Sequence, residues 1–294
     1  MNEFHFSFVD LLLSGLRLST PLLFAALGGL LSERAGVANI ALEGFLLVGA
    51  FSAAAVTYLS GNPWIGLSGA LAAGAMIGLI FAMLTVYAKA DHIVMGTALN
   101  LFVVGALPLF NKIFFGVTGS TPSLELDQRL SVWFLFFVAV ALSPLIWFFL
   151  HKVPFGYHLR SSGENIEASK SLGISVKRTR LIAVILAGMV TALGGAFLSI
   201  AHGSQFSRGM SAGRGFIALA ALILAGWRPI PVILTCILFG LADAAQIVLQ
   251  SYPLPDGSTL PVQWIQMFPY IVTLVVLVGF VGKTEPPQAI AKND

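Results

Sequence analysis

The chain has 294 residues, of which 57% are hydrophobic and only 10% charged, and its mean hydropathy is +0.90. So little polar surface cannot coat a water-soluble globule, which excludes a soluble domain, free or anchored, and makes lipid the main solvent. The net charge of +3 is modest and gives no sign of a nucleic-acid polymer as partner, and the lone Cys236 excludes internal disulfides and a cysteine metal cluster.

Taken in chain order, the opening MNEFHFSFVD lacks a basic n-region and a small-residue cleavage site, so the first apolar run reads as a retained span. Spans follow near residues 8–31, 39–59, 64–88, 93–111, 131–150, 179–201, 214–227, 230–250 and 264–281. This predicts an all-α, polytopic transmembrane bundle of about nine spans, within a range of eight to ten, forming one transmembrane domain over residues 1–294. Helices are preferred to a membrane barrel because the runs are long and continuous, and thirty glycines suit close helix packing. The stretch 214–227 is short for a crossing and reads as half of a broken helix.

The longest polar gap, about residues 151–180, holds Lys152, Arg160, Lys170, Lys177, Arg178 and Arg180 against Glu164 and Glu167, which places it in the cytoplasm. Counting outward, the loops at Glu33 and Arg34, at Lys89 and Asp91, and at Arg228 fall inside with the C-terminal tail. The N-terminus falls outside. Within the long loop, Ser161 or Ser162 is placed to cap a helix of about two turns with Glu164 and Glu167 in its first turns and Gly173 at its end. Such a helix would project Ala168, Leu172 and Ile174 as an apolar contact; the alternative is an ordinary basic connection.

Ionisable and amide groups inside spans are costly and should face protein or water. Asn39 and Glu43 lie four apart, a spacing that predicts one helix face, and fit either pathway lining or a structural hydrogen bond. Asn100, with Thr97 a turn earlier, suits either a polyhydroxylated ligand or interhelical bonding. Asp243, Gln246 and Gln250 form a stripe that fits a cavity or a subunit interface. One internal echo, Ile40-Ala-Leu against Ile217-Ala-Leu, each leading nine residues on to a glycine, raises an inverted repeat.

No engine accompanies this body. The only Gly-Lys-Thr, at 282–284, has Leu277 where a P-loop needs its first glycine. No nucleophile–base arrangement or metal-spaced histidines appear, so neither catalytic nor metal-ligating residues are assigned and no cofactor is expected.

The run GENIEASKSLGISVKRT at 163–179 resembles the coupling-helix motif of ABC importer permeases. LSERAGVANIALEGFLLVGAF at 31–51, MGTALNLF at 95–102, FSRGMSAGRGFIALAALILAGWRP at 206–229 and LFGLADAAQIVLQ at 238–250 are similar to the permeases for simple sugars and nucleosides, and more distantly to those for branched-chain amino acids. Asp243 stands where many relatives are expected to carry Glu. The resemblance implies a bacterial inner-membrane importer subunit for nucleosides or simple sugars. It implies a second permease, chiefly a different chain, a cytoplasmic ABC ATPase and an extracytoplasmic binding protein. It also implies that the short cytoplasmic helix couples to the ATPase, through Glu164, Glu167, Ala168, Leu172 and Gly173; the polar residues within the spans, Asn39, Glu43, Thr97, Asn100, Asp243 and Gln246, are the candidates for the pathway. The alternative from the residues alone is an ion-coupled secondary transporter with Glu43 or Asp243 as its titrating group.

Overall fold

A chain in lipid has no water to satisfy its peptide groups, so each long apolar run closes its hydrogen bonds internally as a helix. The computed structural model describes residues 8–250, 267, 271 and 285–292. Within them α1 is Phe8–Arg34, α2 Leu42–Ser60, α3 Pro63–Ala82, α4 His92–Phe115 and α5 Val132–Lys152. The short helices α6 (Pro154–Glu164) and α7 (Ile166–Ser171) precede α8 (Val176–Ala196), α9 (Arg214–Leu224) and α10 (Pro229–Gln250). α3 and α8 run on into π-helical turns at Met83–Tyr87 and Phe197–His202. No β-strand forms among the described residues; Ser120 and Ser207 make an isolated antiparallel bridge.

Seven of these segments are long and apolar enough to cross a membrane, by length and composition. The expected span at 214–227 is the short helix α9, and the one near 264–281 lies, but for two residues, outside the described residues. Local chemistry sets several ends. Asp91 caps α4 by accepting from the N–H groups of Ile93 and Val94, both at 2.9 Å. Asn62 accepts from Trp64 N–H ahead of Pro63 at the start of α3.

α1, α2 and α8 form the buried centre, with α3, α9 and α10 packed around them and α4 and α5 outermost. Small residues allow the close approaches. A β-carbon on Gly188 of α8 would stand 2.2 Å from the carbonyl oxygen of Gly74 in α3, and one on Gly49 of α2 would stand 2.3 Å from that of Ala192.

The connections gather at two ends. At one, Arg34 meets Trp227 and Glu164, Ala38 meets His92, and Ala35 meets Ser162. At the other, residues 120–130 bond the segment 200–207, as in Thr121 N–H to Phe206 O at 3.0 Å and Leu124 N–H to Ser204 O at 2.6 Å. The first, which we call the basic end, therefore brings together the loops that the charge pattern assigns to one side.

Candidate functional site

The interior is organised around a carboxylate at the start of α2. Gly213 takes a left-handed φ of +79° as the N-cap of α9 and, having no side chain, offers that helix no capping acceptor. Glu43 supplies the missing acceptor. Its Oε1 accepts from Ser211 Oγ at 2.5 Å and Gly213 N–H at 2.9 Å, and its Oε2 accepts from Gly215 N–H at 2.7 Å. Gly215 packs so closely that an added β-carbon would lie 2.4 Å from the Glu43 nitrogen. One carboxylate thus sits in the first turn of α2 and also caps α9, where both helix dipoles are positive. The starts of α2 and α9 meet at this joint. α9 has 11 residues and so rises about 16 Å, which sets the joint deep in the protein.

The four-residue spacing of Asn39 and Glu43 predicts a shared helix face, and the structure corrects this. α2 begins only at Leu42, so Asn39 lies in the non-helical link after Gly36, itself at φ +93°. Asn39 is fully buried; its Nδ2 donates to Ser32 Oγ at 3.1 Å and its Oδ1 accepts from Ala41 N–H at 3.2 Å. Asn100 braces the end of this link and the first turn of α2 from α4. Its Oδ1 accepts from Gly44 N–H at 2.8 Å and its Nδ2 donates to Ile40 O at 2.9 Å. Thr97 does not join Asn100: it is exposed, and its hydroxyl donates to Ile93 O in its own helix at 2.9 Å. Asp243 and Gln246 lie half-buried on α10, with Arg214 at the start of α9 close enough to Asp243 to act on it electrostatically.

At the basic end the polar residues knit loops together. Glu33 accepts from Trp227 Nε1–H at 2.5 Å and from Asn39 N–H at 3.4 Å, and Arg34 Nε donates to Trp227 O at 2.8 Å. Arg180, fully buried, donates to the carbonyls of Ala35 at 3.0 Å, Lys292 at 2.6 Å, and Ser162 and Ala289 at 3.3 Å. These oxygens include the end of α1 and the last turn of α6, where a cation suits the helix dipole. Residues 285–292 are strapped across this end by two further bonds, Ala289 N–H to Gly163 O at 2.8 Å and Ala291 N–H to Gly36 O at 3.0 Å. Arg180→Met should therefore speed amide hydrogen exchange at Ala289 and Ala291 by roughly ten- to a hundredfold, the weight of one charge-assisted bond. Unchanged exchange at both amides would contradict this role.

The long basic loop also differs from its expected form. It holds two helices, because Asn165 in an extended conformation breaks the run and caps α7 itself, its Oδ1 accepting from Ala168 N–H at 3.0 Å. Ser162 instead donates to Leu159 O and Ala35 O, and Glu164 closes α6 and pairs with Arg34 at 3.5 Å. Glu167 does lie in the first turn of α7, and Gly173, at φ +76°, ends it. Ala168 and Glu167 are exposed, and Leu172 is 77% exposed.

Charge counting finds Arg180 only as a topology marker, and its role as a hub depends on the folded tail. Ser211, Gly213 and Gly215 carry a clearer signal, since small residues at alternate positions around the start of a short apolar helix suit a start capped from elsewhere. Among the described residues no group of three or more His, Cys, Asp or Glu is placed to hold a metal ion.

Comparison with known proteins bears on these features. Residues 11–277 match the family described as branched-chain amino acid transport system / permease component. The chain is 34% identical to the guanosine ABC transporter permease protein NupQ of Bacillus subtilis, over 92% of each. It is 36% identical to the nucleoside ABC transporter permease protein NupC of Lactococcus lactis, over 94% of this chain and 93% of the relative. It is 32% identical to a putative glucose ABC transporter permease protein, TsgC13, of Haloferax volcanii, over 91% and 90%.

Proposed function

The chain belongs to the branched-chain amino acid transport system / permease component family, and from that premise we propose that its own cargo is a nucleoside. As a permease component it is the multi-pass membrane body of an ABC importer. ATP hydrolysis belongs to a separate subunit, and delivery to a binding protein. The observation that carries the nucleoside reading is similarity, across more than nine-tenths of the chain, to relatives described as guanosine and nucleoside permeases. A simple sugar is the second reading, favoured by the relative described as a putative glucose permease. Nothing in this family membership favours the ion-coupled alternative.

We read the basic end as cytoplasmic, with the N-terminus outside, because Arg34, Lys152, Arg160, Arg180 and Arg228 gather there. α7 then serves as the coupling helix for the ATPase. Support comes from its exposure: Leu172, just past the end of α7, stands free of the bundle with Ala168 and Glu167, and the helix is joined through α6 and Arg34 to the end of α1. The pathway runs along the α10 face of Asp243 and Gln246, near Arg214, and is completed by a second, different permease. A half-buried carboxylate within a span needs protein or water against it. In this reading Glu43, Asn39 and Asn100 hold the pathway wall from behind, Thr97 faces outward from α4, and α2 and α9 are corresponding members of an inverted repeat.

Uptake of labelled guanosine by the complete importer, challenged with excess unlabelled solutes, tests the cargo. Adenosine or uridine should compete while glucose and leucine should not. Transport of glucose with no transport of guanosine would overturn the nucleoside assignment.

A further inference from the structure

Away from the Glu43 joint and α7, positive charge is concentrated a second time. Where the end of α5, the helix α6 and the turn between α9 and α10 meet, Arg34, His151, Arg160, Arg228, Trp147 and Trp227 line a cavity of about 230 Å³. Arg34 is held by Trp227 O and is partly offset by the exposed carboxylate of Glu164 at 3.5 Å. Arg160 and Arg228 both lie close enough to Arg34 to bear on it electrostatically, so the cavity wall gathers three guanidinium groups against that one carboxylate. Arg160 stands over the ring of Tyr157, 5.2 Å from its centroid, and its buried Nε makes no hydrogen bond. Arg228 is exposed. Like charges gathered round a hollow repel one another unless an anion occupies it, and guanidinium forks match the oxygens of a phosphate.

The position narrows the anion further. The cavity opens at the last turn of α5, where Trp147 stacks on His151 with ring centroids 5.2 Å apart. Tryptophan at the end of a spanning helix marks the headgroup level of a bilayer. Beside it α5 and α10 expose Phe148, Ile230 and Leu234, which are 54%, 51% and 71% exposed, as a surface for hydrocarbon. A ligand with a phosphate head and acyl chains meets both parts; a soluble phosphate meets only one. We propose that this cavity binds the phosphate of an anionic membrane lipid of the phosphatidylglycerol type, with Arg160 and Arg228 as its principal donors. A lipid so held links α5 and α6 to the turn before α10, next to the Trp227 contact that fixes α9.

The inference needs only that the chain is embedded in a bilayer, so its failure would leave the transport reading standing, and the reverse. The test is native mass spectrometry of the detergent-purified complete importer titrated separately with phosphatidylglycerol, phosphatidylcholine and inorganic phosphate. Phosphatidylglycerol should bind at least about tenfold more tightly than phosphatidylcholine. The double variant Arg160→Gln, Arg228→Gln should erase that preference, each arginine carrying roughly a tenfold share. Arg160→Lys with Arg228→Lys keeps the charge without the fork and should fall between, which guards against an assembly defect in the glutamine variant. Equal affinity for the two lipids, an unchanged preference in the glutamine variant, or inorganic phosphate binding as tightly as the lipid would overturn the proposal.

Discussion

Glu43→Ala is expected to remove most folded permease from the membrane and to lower uptake by at least roughly a hundredfold. The substitution leaves Ser211 Oγ–H, Gly213 N–H and Gly215 N–H without their acceptor in a buried place. It also removes the negative charge from two helix starts. Breaking a buried charged network on one side costs about 3–5 kcal/mol, against a total stability of about 5–15 kcal/mol for a typical protein. Space makes the loss hard to repair, because Gly215 already touches the backbone of residues 42 and 43 and no larger side chain can slide in. Glu43→Gln keeps the shape but turns an NH₂ group towards at least one of the three donors, so it should be milder yet still impaired. Thermal unfolding of the purified complex in detergent separates these cases; a wild-type midpoint for Glu43→Ala would show that the joint carries little.

Gly173→Pro is expected to leave the bundle folded while uptake falls at least roughly tenfold and ATP hydrolysis continues. Gly173 holds φ at +76°, and its N–H closes the last turn of α7 on Lys170 O at 2.9 Å. Proline can adopt neither the angle nor the bond, so the end of α7 and the exposed Leu172 beside it must shift. The bundle should tolerate this, since nothing lies within 4 Å of a β-carbon added at Gly173. Leu172→Asp tests the same contact without touching the backbone. Burying a leucine at an interface is worth about 1.5–3 kcal/mol, so removing it should weaken association with the ATPase by roughly ten- to a hundredfold. Uptake and ATPase association both at wild-type levels in these two variants would deny α7 its coupling role.

The long helices were legible because period and length are local properties: the apolar runs and the basic loops all act within a few residues of one another. Even the short α9 is visible as a run too brief to cross. What the residues did not disclose depends on pairs distant in the chain. Glu43 has no cation at helical spacing, and its donors lie 168 to 172 residues away. Asn39 looks helical by spacing because nothing local marks where α2 begins; the start is fixed by Asn100 from α4 and by the left-handed turn at Gly36. Arg180 reads as one of several loop charges, yet it is buried by a tail more than a hundred residues later. The long basic loop was half legible. Gly173 ended the helix as its chemistry requires, while Asn165, the actual cap, was hidden among neighbouring serines that cap equally well on paper.

The account stands on energy being supplied from outside this chain. Its most direct test is uptake of labelled guanosine into liposomes containing either the purified chain alone or the chain with its second permease, ATPase and binding protein. ATP trapped on the ATPase side should drive accumulation only in the complete assembly, and a proton or sodium gradient should drive none in either. Concentrative uptake by the chain alone, with or without an ion gradient, would contradict it.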